Sequence, residues 1–93
     1  MDNLHTLIEK LNEFLFLEGI KTREEIAGFI VGELIGDPDG RYKGLEDANP
    51  EIAQIGNLAS DLEWSNGSAE ELERMWQEMK QAILRLHNQT AQQ

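Results

Sequence analysis

The chain has 93 residues, with 18 acidic and 8 basic side chains, a net charge of −10 and no cysteine. Binding to nucleic acid or to an anionic membrane surface needs clustered lysine and arginine, so this charge argues against both. The lack of cysteine excludes disulfides and thiolate metal sites, which leaves packing or oligomerisation to stabilise a single domain.

The first 20 residues contain four acidic side chains and lack the basic start and apolar run of a secretory signal. The longest apolar stretch, residues 26–35, is too short to span a bilayer. We therefore expect a cytoplasmic protein.

Residues 23–35 stand out as an apolar stretch, in which Glu33 is the single charge between Ile26 and Ile35. On a helical wheel the aliphatic side chains cover one broad side, and Phe29 lies well outside it. A helix that is apolar around most of its circumference must be covered from several directions. The pattern predicts a central helix with the other segments packed against it.

The first predicted helix spans about residues 3–18, because apolar side chains recur there at helical spacing. Those side chains are Leu4, Leu7, Ile8, Leu11, Phe14 and Leu15. Gly19 suits the left-handed position that follows a helix. Phe16 and Leu17 lie off the apolar stripe, so they either touch a second helix or form the contact of a homodimer.

The second predicted helix spans about residues 22–35. It begins with a capping box, in which the side chains of Thr22 and Glu25 bond each other's backbone amides. Gly28 and Gly32 are four residues apart and each weakens a helix interior by about 1 kcal/mol relative to alanine. Their shared face predicts the close approach of another helix or loop.

Residues 36–48 are predicted to form a loop, with a turn at Asp37-Pro38-Asp39-Gly40. Four residues also match the third, fifth, sixth and twelfth positions of an EF-hand calcium loop. They are Asp37, Asp39, Gly40 and Glu46. Ile35 would occupy the first position and has no side-chain oxygen, so any calcium site there is expected to be weak.

The last two predicted helices span about residues 49–63 and 68–88, joined by a link at 64–67. Ser68 and Glu71 form a second capping box. The remaining residues, 89–93, contain few apolar side chains and are expected to fray.

Four amphipathic helices with short links predict an all-α fold, a compact four-helix bundle-like domain with the second helix central.

Candidate chemistry is sparse. His5 and His87 are the only histidines, stand near opposite ends of the chain and lack the spacing of a metal-binding helix. The serines and threonines have no base placed by a motif, and so short a chain has little room for a desolvated catalytic pocket. We expect no enzyme, no cofactor and no metal. A small metal-dependent enzyme or a weak calcium binder is the alternative from another class.

The acidic residues concentrate in the middle of the chain, where residues 33–63 hold eight acidic against two basic side chains, a net charge of −6. Such a face either keeps a protein soluble or steers a basic partner. Tyr42 and Trp64 lie off the apolar stripes, where an aromatic among charges is either a binding hot spot or a cover over one end of the core. The candidate partner-binding residues are Glu33, Asp37, Asp39, Tyr42, Glu46, Asp47 and Trp64.

The run Pro38-Asp39-Gly40, directly after the second helix of a small acidic four-helix chain, resembles the immunity proteins that inhibit nuclease colicins. That family carries a His-Pro-Asp-Gly run there and uses acidic residues of its second helix with a tyrosine pair from a short third helix. The resemblance implies an inhibitor of a basic enzyme, with Glu33 as the nearest counterpart of an inhibitory acid. In this chain Tyr42 is the only tyrosine, and the third predicted helix is much longer than that family's.

The sequence therefore favours a non-enzymatic protein-interaction or regulatory domain that presents the acidic loop, residues 37–47, to a protein partner. Inhibition of a basic enzyme is the alternative among binding functions.

Overall fold

A computed structural model describes residues 3–37, 39–64 and 67–91. These residues contain five helices and no strand, apart from an isolated bridge between Glu18 and Lys21. The helices are α1 (Asn3–Leu15), α2 (Arg23–Leu34), α3 (Leu45–Ala48), α4 (Pro50–Trp64) and α5 (Ala69–Ala91). The fold is all-α, as the helical spacing of the apolar residues predicts.

Two helix bounds differ from expectation in the first half of the chain. α1 ends at Leu15, because the amides of Leu17 and Glu18 donate to carbonyls three residues back and tighten the chain into turns. The predicted loop 36–48 contains the short helix α3. That helix follows Gly44, whose φ of 86° lies in the left-handed region.

α5 continues to Ala91, whereas the sequence placed a frayed tail from residue 89 onward. The side chain of Gln89 donates to Glu51 Oε1 at 2.9 Å, which ties the last turns of α5 to the first turn of α4. The residues outside the described part include Pro38 of the predicted turn, Ser65 and Asn66 of the predicted link, and Gln92 and Gln93 of the predicted tail.

The N-caps of the two predicted capping boxes are confirmed. Thr22 Oγ1 accepts the amide of Glu25 at 3.1 Å, and Ser68 Oγ accepts the amide of Glu71 at 3.2 Å. The return bond at Thr22 differs from the expected one, since the Thr22 hydroxyl donates to Glu25 Oε1 at 3.2 Å. These caps satisfy amides that lack a partner within the helix and fix where α2 and α5 begin.

The helices pack around one core. α4 packs against α2, α3 and α5, and α1 packs against α2 and α5. The radius of gyration is 12.7 Å, close to the roughly 12 Å expected for a compact domain of this length. The buried core side chains are Leu7, Ile8, Leu11, Ile26, Ala27, Ile30, Tyr42, Ile52, Ile55, Ala59, Leu62, Trp76, Met79, Ala82, Ile83 and Leu86. Among the described residues, no helix combines the length and apolarity needed to cross a bilayer.

α2 is covered on one side and open on the other. Ile26, Ala27 and Ile30 are buried, whereas Phe29 is 41% and Ile35 63% exposed. The nearly uncharged stretch is therefore not enclosed all round. The position of α2 at the centre of the fold stays a prediction.

α2 and α4 run antiparallel, because Gly28 of α2 faces Glu63 near the end of α4, and Leu34 faces Gly56 near its middle. The predicted close approach occurs at Gly28, where an added Cβ would lie 3.3 Å from Glu63 Oε1. At Gly32 the prediction was wrong, since no described heavy atom beyond the adjoining backbone of α2 would lie within 4 Å of an added Cβ.

Gly32 and Gly36 should respond to alanine in opposite directions. At Gly36 an added Cβ would lie 2.4 Å from the carbonyl oxygen of Gly32, a backbone atom that cannot move without disturbing α2. We expect Gly36→Ala to lower the free energy of unfolding by about 1–3 kcal/mol. Gly32→Ala should raise it by about 0.5–1 kcal/mol. Urea unfolding followed by far-UV circular dichroism measures both, and equal effects would contradict this assignment.

Candidate functional site

The side chain of Asp37 holds the acidic loop, residues 37–47, in its folded conformation. One carboxylate oxygen of Asp37 accepts the amide of Arg41 at 2.9 Å, and the other accepts the amide of Tyr42 at 3.0 Å. The Asp37 carbonyl also accepts the amide of Gly40 at 3.0 Å, while Gly40 has a φ of 66°. Side-chain bonds of this kind replace the backbone partners that a loop lacks. Asp37 is therefore committed to holding the loop in shape.

Tyr42 joins the loop to α2. Its ring is 3% exposed and belongs to the core, and its hydroxyl donates to Glu33 Oε1 at 2.5 Å. Arg41 lies 3.6 Å from the same Glu33 oxygen, and its guanidinium carbon lies 5.4 Å from the centre of the Tyr42 ring. Of the two alternatives for Tyr42, the structure shows the core position, because the loop folds back and places the ring among the buried core side chains.

The pKa of Tyr42 is raised to about 12. Burial is the largest cause, because the phenolate would lose its hydration. The bond to Glu33 and the negative charge of that carboxylate act in the same direction, and Arg41 opposes them weakly. Tyr42 is therefore a neutral donor to Glu33 over the whole physiological range.

Three of the predicted acidic residues remain at the surface of the loop. Asp39 is exposed beside the turn, and Glu46 and Asp47 are exposed in α3. Glu33 is partly buried and faces Tyr42 and Arg41. The structure thus divides the predicted acidic set into side chains that hold the loop and side chains that face solvent.

Trp64 lies away from this loop. It is 77% exposed at the last residue of α4, about 21 Å along the helix from Pro50, at 1.5 Å per residue. There it lines a shallow cavity with Ser60, Glu71 and Met75. Trp64 and the acidic loop therefore do not form one surface.

Phe16 and Leu17, the candidate dimer contact, lie in the link between α1 and α2. Phe16 is 82% exposed, whereas Leu17 is half-buried and packs against the core. Of this pair, Phe16 carries the accessible apolar surface.

An apolar groove adjoins the acidic loop, and the sequence interpretation missed it. It lies between the end of α2, α3 and the first half of α4, with a volume of about 270 Å³. Its lining is mostly apolar, with Glu46 and Asn57 as polar members, and consists of Leu34, Ile35, Glu46, Ile52, Ala53, Gly56 and Asn57. The sequence offers one weak signal for it, Gly56 within the helix α4, where the missing side chain leaves room beside the helix.

A second charged cluster joins the α1–α2 link to α5. Glu18 accepts hydrogen bonds from Trp76 Nε1 at 2.5 Å and from Lys80 Nζ at 3.1 Å. Arg23 lies 3.6 Å from Glu18, also bonds Glu73, and has its guanidinium carbon 5.3 Å from the centre of the Trp76 ring. The positive charges of Arg23 and Lys80 balance the negative charges of Glu18 and Glu73. The cluster is therefore suited to holding the α1–α2 link against α5 rather than to attracting a charged partner.

Glu18 should contribute to the acid dependence of stability. Its pKa is lowered from 4.5, first by the hydrogen bond from Lys80 and also by Trp76 and Arg23. A lowered folded pKa means that this stabilisation is present above about pH 4.5 and is lost as the pH falls through the lower, folded value. These charges are partly exposed, so each ion pair of Glu18, with Arg23 or with Lys80, is weak. We expect Glu18→Gln to lower the free energy of unfolding at neutral pH by about 0.2–1 kcal/mol for each pair that is lost.

Urea unfolding of the parent chain and Glu18→Gln at a series of pH values measures this effect. The difference between the two proteins should shrink as the acid range is entered. Glu9→Gln, at an exposed residue of α1, is the matched control. A gap between the parent chain and Glu18→Gln that grows on acidification would contradict the assigned sign.

The described residues contain no group of three or more histidine, aspartate and glutamate side chains that could hold a metal ion. Asp37, at the third position of the proposed calcium loop, uses both carboxylate oxygens on backbone amides.

Comparison with known proteins gives no relative: no protein-family model, no curated protein and no solved structure matches the chain.

Proposed function

We propose that the chain is a non-enzymatic, cytoplasmic protein-interaction or regulatory domain that presents the acidic loop 37–47 to a basic protein partner. The observation that carries this proposal is the exposure of Asp39, Glu46 and Asp47. The segment that holds them is fixed in place by the hydrogen bond from the Tyr42 amide to Asp37 and by the bond from the Tyr42 hydroxyl to Glu33. A pinned loop loses less conformational entropy on binding than a mobile one, so it favours association. The proposal includes the finer architecture, a four-helix bundle-like domain of α1, α2, α4 and α5 with α2 central.

The charge distribution supports a basic partner. Between residues 33 and 63 there are eight acidic and two basic side chains, and Arg41 of these two pairs with Glu33. A surface with this imbalance accelerates encounter with a positively charged protein and repels an acidic one.

A charge-matched pair of triple variants tests the proposal. The first neutralises the loop through Asp39→Asn, Glu46→Gln and Asp47→Asn. The second makes the same change in net charge elsewhere, through Glu9→Gln, Asp61→Asn and Glu70→Gln, at exposed helical residues. Each is used in affinity capture from the source cell at low and high salt, beside the parent chain.

We expect a partner that binds the parent chain and the second variant, fails to bind the loop variant, and is released at high salt. A partner that binds all three proteins equally would overturn the proposal, because capture would then be independent of the loop.

Inhibition of a basic enzyme, the function implied by the resemblance to nuclease-colicin immunity proteins, is a special case of the same interaction. Glu33 would be the inhibitory acid in that case, yet it bonds Tyr42 and faces Arg41. A partner cation would have to displace Arg41 to reach it. The metal-dependent enzyme and the calcium binder have no supporting observation among the described residues.

Homodimer formation through Phe16 and Leu17 stays a prediction, and the structure sharpens its test. Leu17 packs on the core, so its replacement would disturb folding as well as association. Phe16→Asp changes only exposed surface and should convert a dimer into a monomer in light scattering across protein concentration. Leu84→Asp, at a residue that is half-exposed on α5, is the control. An unchanged mass for Phe16→Asp would exclude this contact.

A further inference from the structure

We infer that the groove beside the acidic loop receives an apolar side chain of the partner, while a neighbouring lysine or arginine of the same partner segment pairs with Glu46. This inference rests on the proposed function and specifies the partner's chemistry: a leucine-like residue flanked by a cation.

The groove has the size and lining for one aliphatic side chain. It has a volume of about 270 Å³ and is bounded by Leu34, Ile52 and Ala53, with Gly56 among its lining residues. Ile35 at its edge is 63% exposed and so adds accessible apolar surface to the groove. Burial of one leucine in such a site corresponds to about tenfold to a hundredfold in affinity.

The charge at the edge of the groove selects the neighbouring residue of the partner. Glu46 lines the groove and is exposed, and Asp47 follows it in α3. The one arginine of the loop, Arg41, lies against Glu33 and Tyr42. An apolar centre with a polar rim is the usual anatomy of a protein–protein interface. The acidic rim therefore favours a cation beside the anchor.

Gly56 allows the groove to be narrowed without disrupting the fold. An added Cβ would lie 3.8 Å from Leu34 Cδ1, an ordinary van der Waals contact. Alanine also favours a helix more than glycine does, so Gly56→Ala should be at least as stable as the parent chain. The new methyl group nevertheless takes up space in the groove. Gly32→Ala is the matched control, since it makes the same change in α2 at an open position outside the groove lining.

The experiment titrates the ¹⁵N-labelled full chain with two synthetic peptides, acetyl-Arg-Leu-Arg-amide and acetyl-Arg-Ser-Arg-amide, and follows amide chemical shifts. We expect the leucine peptide to shift the amides of Ile35, Glu46, Ala53 and Gly56. The serine peptide should bind about tenfold or more weakly. Gly56→Ala should weaken the leucine peptide by a similar factor, and Gly32→Ala should leave its affinity unchanged.

The outcomes separate this inference from the proposed function. In one outcome, both peptides shift the amide signals of Asp39 and Asp47 equally and leave the amide signals of the groove unchanged. That result would overturn the inference about the groove, while the acidic loop would still bind a basic partner. If the leucine peptide shifts the groove amides but neither Glu46→Gln nor added salt weakens it, the required cation is wrong and the inference is overturned. If neither peptide shifts any amide, this inference is overturned, and the affinity capture with the charge-matched variants decides the proposed function separately.

Discussion

Replacement of Trp76 by alanine is expected to lower the free energy of unfolding by about 3–5 kcal/mol, the cost of removing a large aromatic side chain from a packed core. Trp76 is fully buried, and it is the largest of the fully buried side chains. Its indole Nε1–H also donates to Glu18 at 2.5 Å, so the same change removes a hydrogen bond that joins the α1–α2 link to α5. A domain of this size has a total stability of only about 5–15 kcal/mol. The loss is therefore a large fraction of the total stability.

A matched tryptophan is available in Trp64, which is 77% exposed at the end of α4. We expect Trp64→Ala to change the free energy of unfolding by no more than about 0.5 kcal/mol. Trp76→Phe keeps most of the ring and loses the indole donor, so its cost should lie between those of the two alanine variants. Urea unfolding measures all three variants. Equal costs for Trp64→Ala and Trp76→Ala would contradict the core placement of Trp76.

Local pattern predicted the parts of this molecule that depend on local chemistry. The apolar spacing of the first helix included Leu7, Ile8 and Leu11, which are buried in the core. Thr22 and Ser68 marked the starts of α2 and α5 correctly. Both kinds of signal act within a few residues, through helix geometry and through orphan amides at a helix start. A single sequence therefore suffices for them.

Contacts between segments that are far apart in the sequence could not be predicted from local patterns, for a physical reason. Trp76 and Glu18 are 58 residues apart, and no spacing rule links a carboxylate in one turn to an indole in another helix. Tyr42 shows the same limit in the candidate site. Its charged neighbours are consistent with either a surface or a core position, and only the course of the loop decides between them.

The groove beside the acidic loop was missed because it belongs to no single element. Ile35, Glu46 and Gly56 come from three segments, and none of them has an unusual local pattern that requires a cavity. The acidic loop itself was predicted from composition, but its division into holding and exposed acids depends on which amides Asp37 meets. Tertiary packing thus defines the candidate site, whereas sequence defines the helices around it.

In alkaline solution the protein is expected to lose stability between about pH 10 and pH 12 through Tyr42. The unfolded chain ionises this phenol near its ordinary pKa of 10, whereas the folded chain retains the proton until about 12. A raised folded pKa means that the stabilisation is complete below the unfolded value and is lost as the pH rises through the folded one. Two pKa units correspond to a loss on the order of 2–3 kcal/mol.

Because Tyr42 is the only tyrosine, the ultraviolet absorbance of phenolate reports its titration alone. Tyr42→Phe keeps the buried ring and removes the ionising group, so it isolates this loss from the titration of lysines over the same range. The variant should be less stable than the parent chain at neutral pH by about 1.5–3 kcal/mol, since the hydroxyl bonds a charged Glu33. The two proteins should converge in stability as pH 12 is approached. A phenolate signal that rises near pH 10 in the folded chain would show that Tyr42 is exposed to water and that the loop is not pinned to α2.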